Sequence, residues 1–314
     1  MNEKNNINNT KNLETEIIYY NKDLKINNLS VTIGAYDGIH NGHIQILKAL
    51  KELNSPKAVI TFMNHPDYVL NKRENYGDIL TIEEKVKIFN RYDINYLIIL
   101  PDDVFELTYL NFNNLLSNLG VKNIIVGEDF KYGKNALGNI NTLTGFNVNA
   151  IKLVLESSDD KLASENKLSS QTIRKYLSDG MVDKLQNFGM PYFSVIGKVT
   201  QGAKLGRVFG FPTANIPLGN KYSNIRKGVY AVKVIIGSKE YIGVCNVGIN
   251  PTVNTQNTPR LEVYIINEKL DLYECEIEVI FKKFIRPEIK FASIDDLSKQ
   301  ISNDVQNVKK YFNK

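Results

Sequence analysis

Apolar positions along the chain follow two rhythms. Leu29, Val31 and Ile33 alternate with polar residues, the period of a strand, and Ile44, Leu47, Leu50 and Leu53 then recur at helical spacing. Apolar runs at 58–62, 96–100 and 123–126 are separated by helical patterns over 83–90 and 112–119. This alternation predicts βαβ units on a Rossmann-like parallel sheet. After Gly180 the rhythm changes to short alternating strands from Tyr192 onward, at 228–236, 240–247, 260–266 and 274–281, with no helix until about Ser293. There Cys275, Ile277, Val279 and Phe281 share one strand face and Glu274, Glu276 and Glu278 the other, as in a small antiparallel barrel with a filled interior. The expected organisation is an α/β domain over 1–186, then a β-barrel domain over 187–314 with a C-terminal helix.

Ligands of parallel sheets bind beyond the carboxyl ends of the strands, and the chemistry-bearing residues of the first half fall there. The chain has three histidines, and two of them, His40 and His43, lie in GAYDGIHNGH on the turn from the first strand to the first helix. Gly34, Gly38 and Gly42 let backbone approach a ligand, Asp37 joins them, and the helix offers free N–H groups and the positive end of its dipole. That combination points to a phosphate site, where imidazoles can hydrogen-bond phosphoryl oxygens as charge builds on them. His65, in TFMNHP, follows the next strand, and the proline after it is expected to hold the segment extended. In VGEDFKYG, Asp129 is flanked by Phe130 and Tyr132, which either line a flat heterocycle or belong to the core.

Two further segments carry candidates. In LSSQTIRKYL, Ser169 and Ser170 are placed to cap a helix whose first turns hold Arg174, a cation for a phosphate or one left in solvent. In GRVFGFPTANI, Gly206 and Gly210 permit a close-approaching loop, Pro212 fixes the backbone, and Thr213 and Asn215 offer oxygen ligands suited to Mg²⁺ and a phosphate. Taken alone, such a string is also an ordinary turn.

With 43% hydrophobic and 23% charged residues the composition is that of a globular protein, and 314 residues suit two domains. The net charge of +5 favours anionic ligands, but without a basic run it argues against nucleic acid as partner. The opening MNEKNNINNTKN has no signal-peptide core and no segment reaches membrane-spanning length, so a cytoplasmic protein without a membrane partner is expected. Cys245 and Cys275 are expected to be reduced, buried thiols, and two cysteines are too few for a structural zinc site.

DGIHNGH resembles the H-x-G-H signature of nucleotidyltransferases, in the form found in bacterial bifunctional riboflavin kinase/FAD synthetases. LSSQTIR is similar to that family's S-S-T-x-I-R motif, and GFPTAN, NVGINPT at 246–252, LEVYI around Glu262 and FIRPEIKF at 284–291 follow in family order. The resemblance runs from Gly34 to Asp304. It implies an α/β nucleotidyltransferase domain followed by a riboflavin kinase barrel, with riboflavin, FMN and ATP as small-molecule partners and Mg²⁺ accompanying ATP. In the first half it places ATP on Gly34, Asp37, His40, His43, Ser169, Ser170 and Arg174, and flavin by His65, Asp129 and Phe130. In the second it places ATP and metal on Gly206, Thr213 and Asn215, makes Glu262 the general base, and sets Arg286 and Phe291 by the flavin. Ala35, Gln171 and Tyr264 depart from the family's usual asparagine, threonine and histidine, and 135–137 lacks an arginine often found there. Ala35 and Gln171 keep open a kinase with a weak or lost adenylyltransferase half; a flavin- or nucleotide-binding regulator is the reading from another class.

Overall fold

The computed structural model describes residues 14–70, 77–152, 169–190, 192–201, 211–218, 225–249, 259–268 and 270–313. Contacts divide the chain into two compact units. The first takes its described residues from 1–36, 43–69 and 82–154, the second from 37–42, 70–81 and 155–314.

A six-stranded sheet organises the first unit: β1 (Glu16–Tyr19), β2 (Leu29–Ile33), β3 (Lys57–Phe62), β4 (Tyr96–Leu100), β5 (Val121–Gly127) and β8 (Asn147–Ile151). Its order is β1-β4-β3-β2-β5-β8 and every pairing is parallel. The crossovers carry α1 (Asn41–Lys51), α2 (Pro66–Val69), α3 (Ile82–Asn90) and α4 (Tyr109–Leu119), and a hairpin of β6 (Lys131–Tyr132) and β7 (Gly138–Asn139) follows β5. Strand order reverses between β2 and β5, so the crevice that such sheets use for ligands opens at the ends of these two strands. β2 is buried along its whole length. Its polar residues do not face water as their alternation suggested; Ser30 bonds Ser55 and Asn123, and Thr32 bonds Tyr36. β1 and β8 escaped the sequence pattern because both are short edge strands with exposed polar positions.

In the second unit, β9 (Phe193–Lys198), β10 (Thr213–Pro217), β11 (Gly228–Ile236), β12 (Lys239–Ile249), β13 (Pro259–Ile265) and β14 (Glu276–Arg286) form an antiparallel sheet in the order β10-β13-β12-β11-β14-β9. Just beyond β9, a Thr200–Asn215 bridge joins the chain to β10 and curls the sheet into a barrel. The interior holds Tyr230, Val232, Cys245, Val263 and Val279, with Phe281 edge-on to Tyr230 at 5.0 Å. On the opposite face α6 (Ile294–Phe312), capped by Ser293, packs Val305 and Val308 on Val229, Ala231 and Val244. α5 (Ser170–Asp179) and the 3₁₀ segment Val182–Phe188 lie against the same barrel. The Leu177 carbonyl accepts from the Arg226 N–H at 3.0 Å, Gly180 abuts Phe284, and Lys283 pairs with Asp183 at 2.6 Å. Cys275 corrects its expectation: β14 begins at Glu276, so this thiol precedes the strand and is exposed, whereas Cys245 is buried. Among the described residues, no helix is long and apolar enough to cross a membrane.

Candidate active sites

After β2 the chain turns sharply. The Gly34 N–H donates to the Ile60 carbonyl, and the Ala35 carbonyl accepts from Thr61 Oγ1 at 3.1 Å and Lys85 Nζ at 3.2 Å. Tyr36 adopts a left-handed conformation with φ of 47° and is fully buried, and its ring lies 4.5 Å from the His43 imidazole. Its hydroxyl is bonded to Thr32, and burial pushes the phenol above its ordinary range, so it stays protonated. Tyr36 thus braces His43 in the first turn of α1. Sequence reasoning passed over it, although a tyrosine between the glycines at 34 and 38 was a signal.

His40, only 5% exposed, immediately precedes α1. In the same unit Asp37, 1% exposed, accepts the Ile79 N–H at 2.8 Å with one carboxylate oxygen and pairs with the Arg174 guanidinium through the other. Arg174, 7% exposed, also donates to the Gly77 carbonyl at 2.6 Å. Two candidates 137 positions apart therefore meet. Ser169 is the N-cap of α5, accepting the Thr172 N–H, and Ser170 opens the helix. A side chain on Gly38 would strike Ile173 at 2.8 Å, so the glycine lets the turn lie directly on α5.

His65 differs from expectation. The segment is not extended: Pro66 opens the short helix α2, and His65 Nδ1 accepts the Asp67 N–H at 3.1 Å as a cap. A proline breaks a helix interior but suits the first helical position, where its missing N–H costs nothing. On the turn after β5, Asp129 is exposed and Phe130 half-buried. Phe130 stacks at 5.5 Å on Tyr132, whose hydroxyl donates to Asn113, which makes Tyr132 a core residue.

The barrel assembles its candidates by register. Asn215 on β10 faces Glu262 on β13, Glu262 faces Asn246 on β12, Asn246 faces Val229 on β11, and Val229 faces Arg286 on β14. Cross-strand partners project on the same side, so this row runs across five strands. GFPTANI does not end as a turn: Thr213–Pro217 is strand β10, with Ala214 and Ile216 inward and Thr213 and Asn215 on the other face. Asn215 is 6% exposed, its Nδ2 donates to the Thr213 carbonyl at 3.3 Å, and its Oδ1 is buried without a hydrogen-bond partner. Gly206, with the rest of 202–210 and residues 250–252 of NVGINPT, lies outside the described residues.

Two cavities flank the row. One of about 320 Å³ is lined by Glu262, Asn246, Tyr264, Arg286, Phe291 and Asp304 among others. The second, about 250 Å³, touches Thr200, Gln201, Thr213, Asn215, Asp271 and Tyr273. Burial holds the Glu262 carboxyl above the usual carboxylate range; nearby Arg260 draws it down and Glu288 adds to the rise. Arg286 is anchored by Asp304 through Nε at 2.9 Å and Nη2 at 2.7 Å, and its guanidinium stands 6.0 Å from the Phe291 ring centre. Asn246 opens the NVGINPT motif and Asp304 closes the stretch of resemblance, but neither had a role from sequence, because only the register and the docking of α6 bring them to the cavity.

Comparison with known proteins agrees with this two-part construction. A family model described as FAD synthetase matches residues 23–172, and one described as riboflavin kinase matches residues 189–312. A bifunctional riboflavin kinase/FMN adenylyltransferase of Buchnera aphidicola is 36% identical over 92% of this chain and 96% of its own length. One from Listeria monocytogenes is 32% identical over 91% of this chain and 93% of its own. Among solved structures, a Streptococcus pneumoniae protein titled a macrolide-efflux protein superposes with a TM-score of 0.79 at 27% identity, covering 93% of this chain and 98% of that one.

Proposed function

Because the chain belongs to the bifunctional riboflavin kinase/FMN adenylyltransferase family, it phosphorylates riboflavin to FMN and adenylylates FMN to FAD with ATP, and we propose that residues 1–186 carry the adenylyl transfer and residues 187–314 the phosphorylation. The observation that carries the kinase assignment is the Asn215–Glu262 pair, one residue bordering each of two neighbouring cavities. Glu262 takes the proton from the riboflavin 5′-hydroxyl as that oxygen attacks the γ-phosphorus of ATP. A carboxylate held above its ordinary range by burial is a better base than an exposed one. Arg286 and Phe291 form part of the flavin-side wall.

The buried, unpartnered Oδ1 of Asn215 and the Thr213 hydroxyl on the same face fit a hard cation that prefers oxygen ligands. Thr213 and Asn215 would hold Mg²⁺ together with ATP, Gly206 lying on the same motif. Charge neutralisation on the triphosphate is the chemistry this ion supplies when bound.

Adenylyl transfer needs no protein nucleophile, since the FMN phosphate is already an anion. His40 and His43 donate to ATP phosphate oxygens, Gly34 and Asp37 shape the turn beneath them, and Ser169, Ser170 and Arg174 supply the second set of phosphate contacts. His65, Asp129 and Phe130 receive the flavin. Alignment and charge stabilisation supply the rate. Consumption of ATP supports a cytoplasmic location. Incubation of the purified protein with riboflavin, ATP and Mg²⁺ should yield FMN and then FAD with pyrophosphate; accumulation of FMN alone would overturn the adenylyltransferase assignments.

A further inference from the structure

Asn215, Glu262 and Asn246 are consecutive polar members of the barrel row, yet they border different spaces. The smaller cavity touches Asn215 and neither of the other two, whereas the larger touches Glu262 and Asn246 and not Asn215. Glu262 therefore marks the passage from the phosphate-donor side to the acceptor side, and Asn246 stands one strand further into the acceptor side. Neighbouring strands are about 4.8 Å apart. The Asn246 amide thus meets a group roughly one strand spacing beyond the atom that faces the Glu262 carboxylate.

Space at this end of the row is kept open by a glycine. A side chain on Gly248 would fall 2.5 Å from Glu288 Oε1 and 3.0 Å from Asn246 Nδ2, so the amide occupies room that a Cβ would take. Among the described residues no protein hydrogen bond engages the Asn246 side chain. A half-buried amide lining a cavity, with no hydrogen-bond partner among the described residues, has its donors and acceptor available for a ligand. Behind the 5′-hydroxyl of riboflavin, the ribityl chain carries secondary hydroxyls that both donate and accept, the complement of an amide.

We propose that Asn246 is a substrate-positioning residue of the kinase reaction, its amide holding a secondary hydroxyl of the ribityl chain so that the 5′-hydroxyl is presented to Glu262. The inference rests on the assignment of the larger cavity to riboflavin. It explains why Asn246 shares a row with the base, and it makes the polyol chain, not the ring alone, a determinant of substrate choice.

The test compares riboflavin with lumiflavin, which carries a methyl group in place of the ribityl chain. The full-length protein is assayed for total FMN plus FAD formed from riboflavin, with lumiflavin as competitive inhibitor, so that both constants report the kinase site. For Asn246→Ala, and for Asn246→Leu, which keeps the volume, KM for riboflavin should rise about tenfold, the equivalent of one lost hydrogen bond. The inhibition constant of lumiflavin and KM for ATP should stay within about twofold, the range left when a deleted contact is not made by that ligand. A shift of the two flavins by the same factor, or of neither, overturns the proposal. Glu262→Gln, run alongside, separates the two levels: full turnover in that variant removes the cavity assignment itself, while lost turnover with unchanged flavin discrimination in the Asn246 variants removes only the role of Asn246.

Discussion

Asp37 and Arg174 form a buried ion pair that ties the turn after the first central strand to a helix 137 residues further along the chain. Neither charge stands alone: Asp37 also accepts the Ile79 N–H, and Arg174 also donates to the Gly77 carbonyl. In a buried pair, removing one member costs far more than replacing both, because the survivor keeps its desolvation penalty without its partner. Asp37→Ala is expected to destabilise the unit by about 3–5 kcal/mol. The double change Asp37→Leu with Arg174→Met should recover most of the loss in a melting experiment while leaving FAD formation defective. Recovery of adenylylation by the double variant would show that the pair serves folding alone.

His43 is held by the Tyr36 ring in the first turn of α1, where helix N–H groups also gather. Replacing it with alanine should reduce FAD formation about 10²- to 10³-fold through loss of a donor to developing phosphate charge. Riboflavin phosphorylation should survive, and separation of the flavins after incubation reads both steps at once. Near-normal conversion of FMN to FAD would reject the role given to His43.

Glu262→Gln keeps shape and removes the base, so FMN formation should fall about 10²- to 10⁴-fold while supplied FMN is still adenylylated. The pH dependence follows from the raised carboxyl. The base works when ionised, so kcat/KM for riboflavin should decline as pH falls through a value above the ordinary carboxylate range. Arg260→Ala withdraws the neighbouring cation and should move that limb to higher pH, whereas Glu288→Gln removes a like charge and should move it lower. An acid limb that ignores both changes would assign the titration to another group.

Much of this was legible in the sequence. The βα turn of His40 and His43, the cap at Ser169 and the strand at Gly228–Ile236 all sit where local spacing and capping chemistry put them. What escaped depends on pairing between distant segments. Thr213 and Asn215 read as turn residues because Gly, Pro, Thr and Asn dominate the string, and only the pairing of β10 with β13 shows a strand carrying them. Pro66 read as a helix breaker because its effect reverses at the first helical position. Arg174 offered a free cation until Asp37 was found beside it, and Asn246 was the first residue of a motif with no role of its own until its register placed it next to Glu262.

The motifs for each reaction fall on one side of about residue 186, so fragments 1–186 and 187–314 are expected to make FAD from FMN and FMN from riboflavin, respectively. Contacts add a condition to that expectation. α5 and Val182–Phe188 lie against the barrel through the Arg226–Leu177 hydrogen bond, the Arg226 bond to the Asp179 carbonyl and the Lys283–Asp183 pair. A cut at 186/187 passes through this segment and strips α5 from the barrel. Fragment 187–314 should therefore melt below fragment 169–314, by about 5 °C for each kcal/mol of packing lost. Both should phosphorylate riboflavin once shown to melt cooperatively. If 187–314 folds but makes FMN only when 1–186 is added back, the kinase site draws on both parts and the division of labour proposed for this chain is wrong.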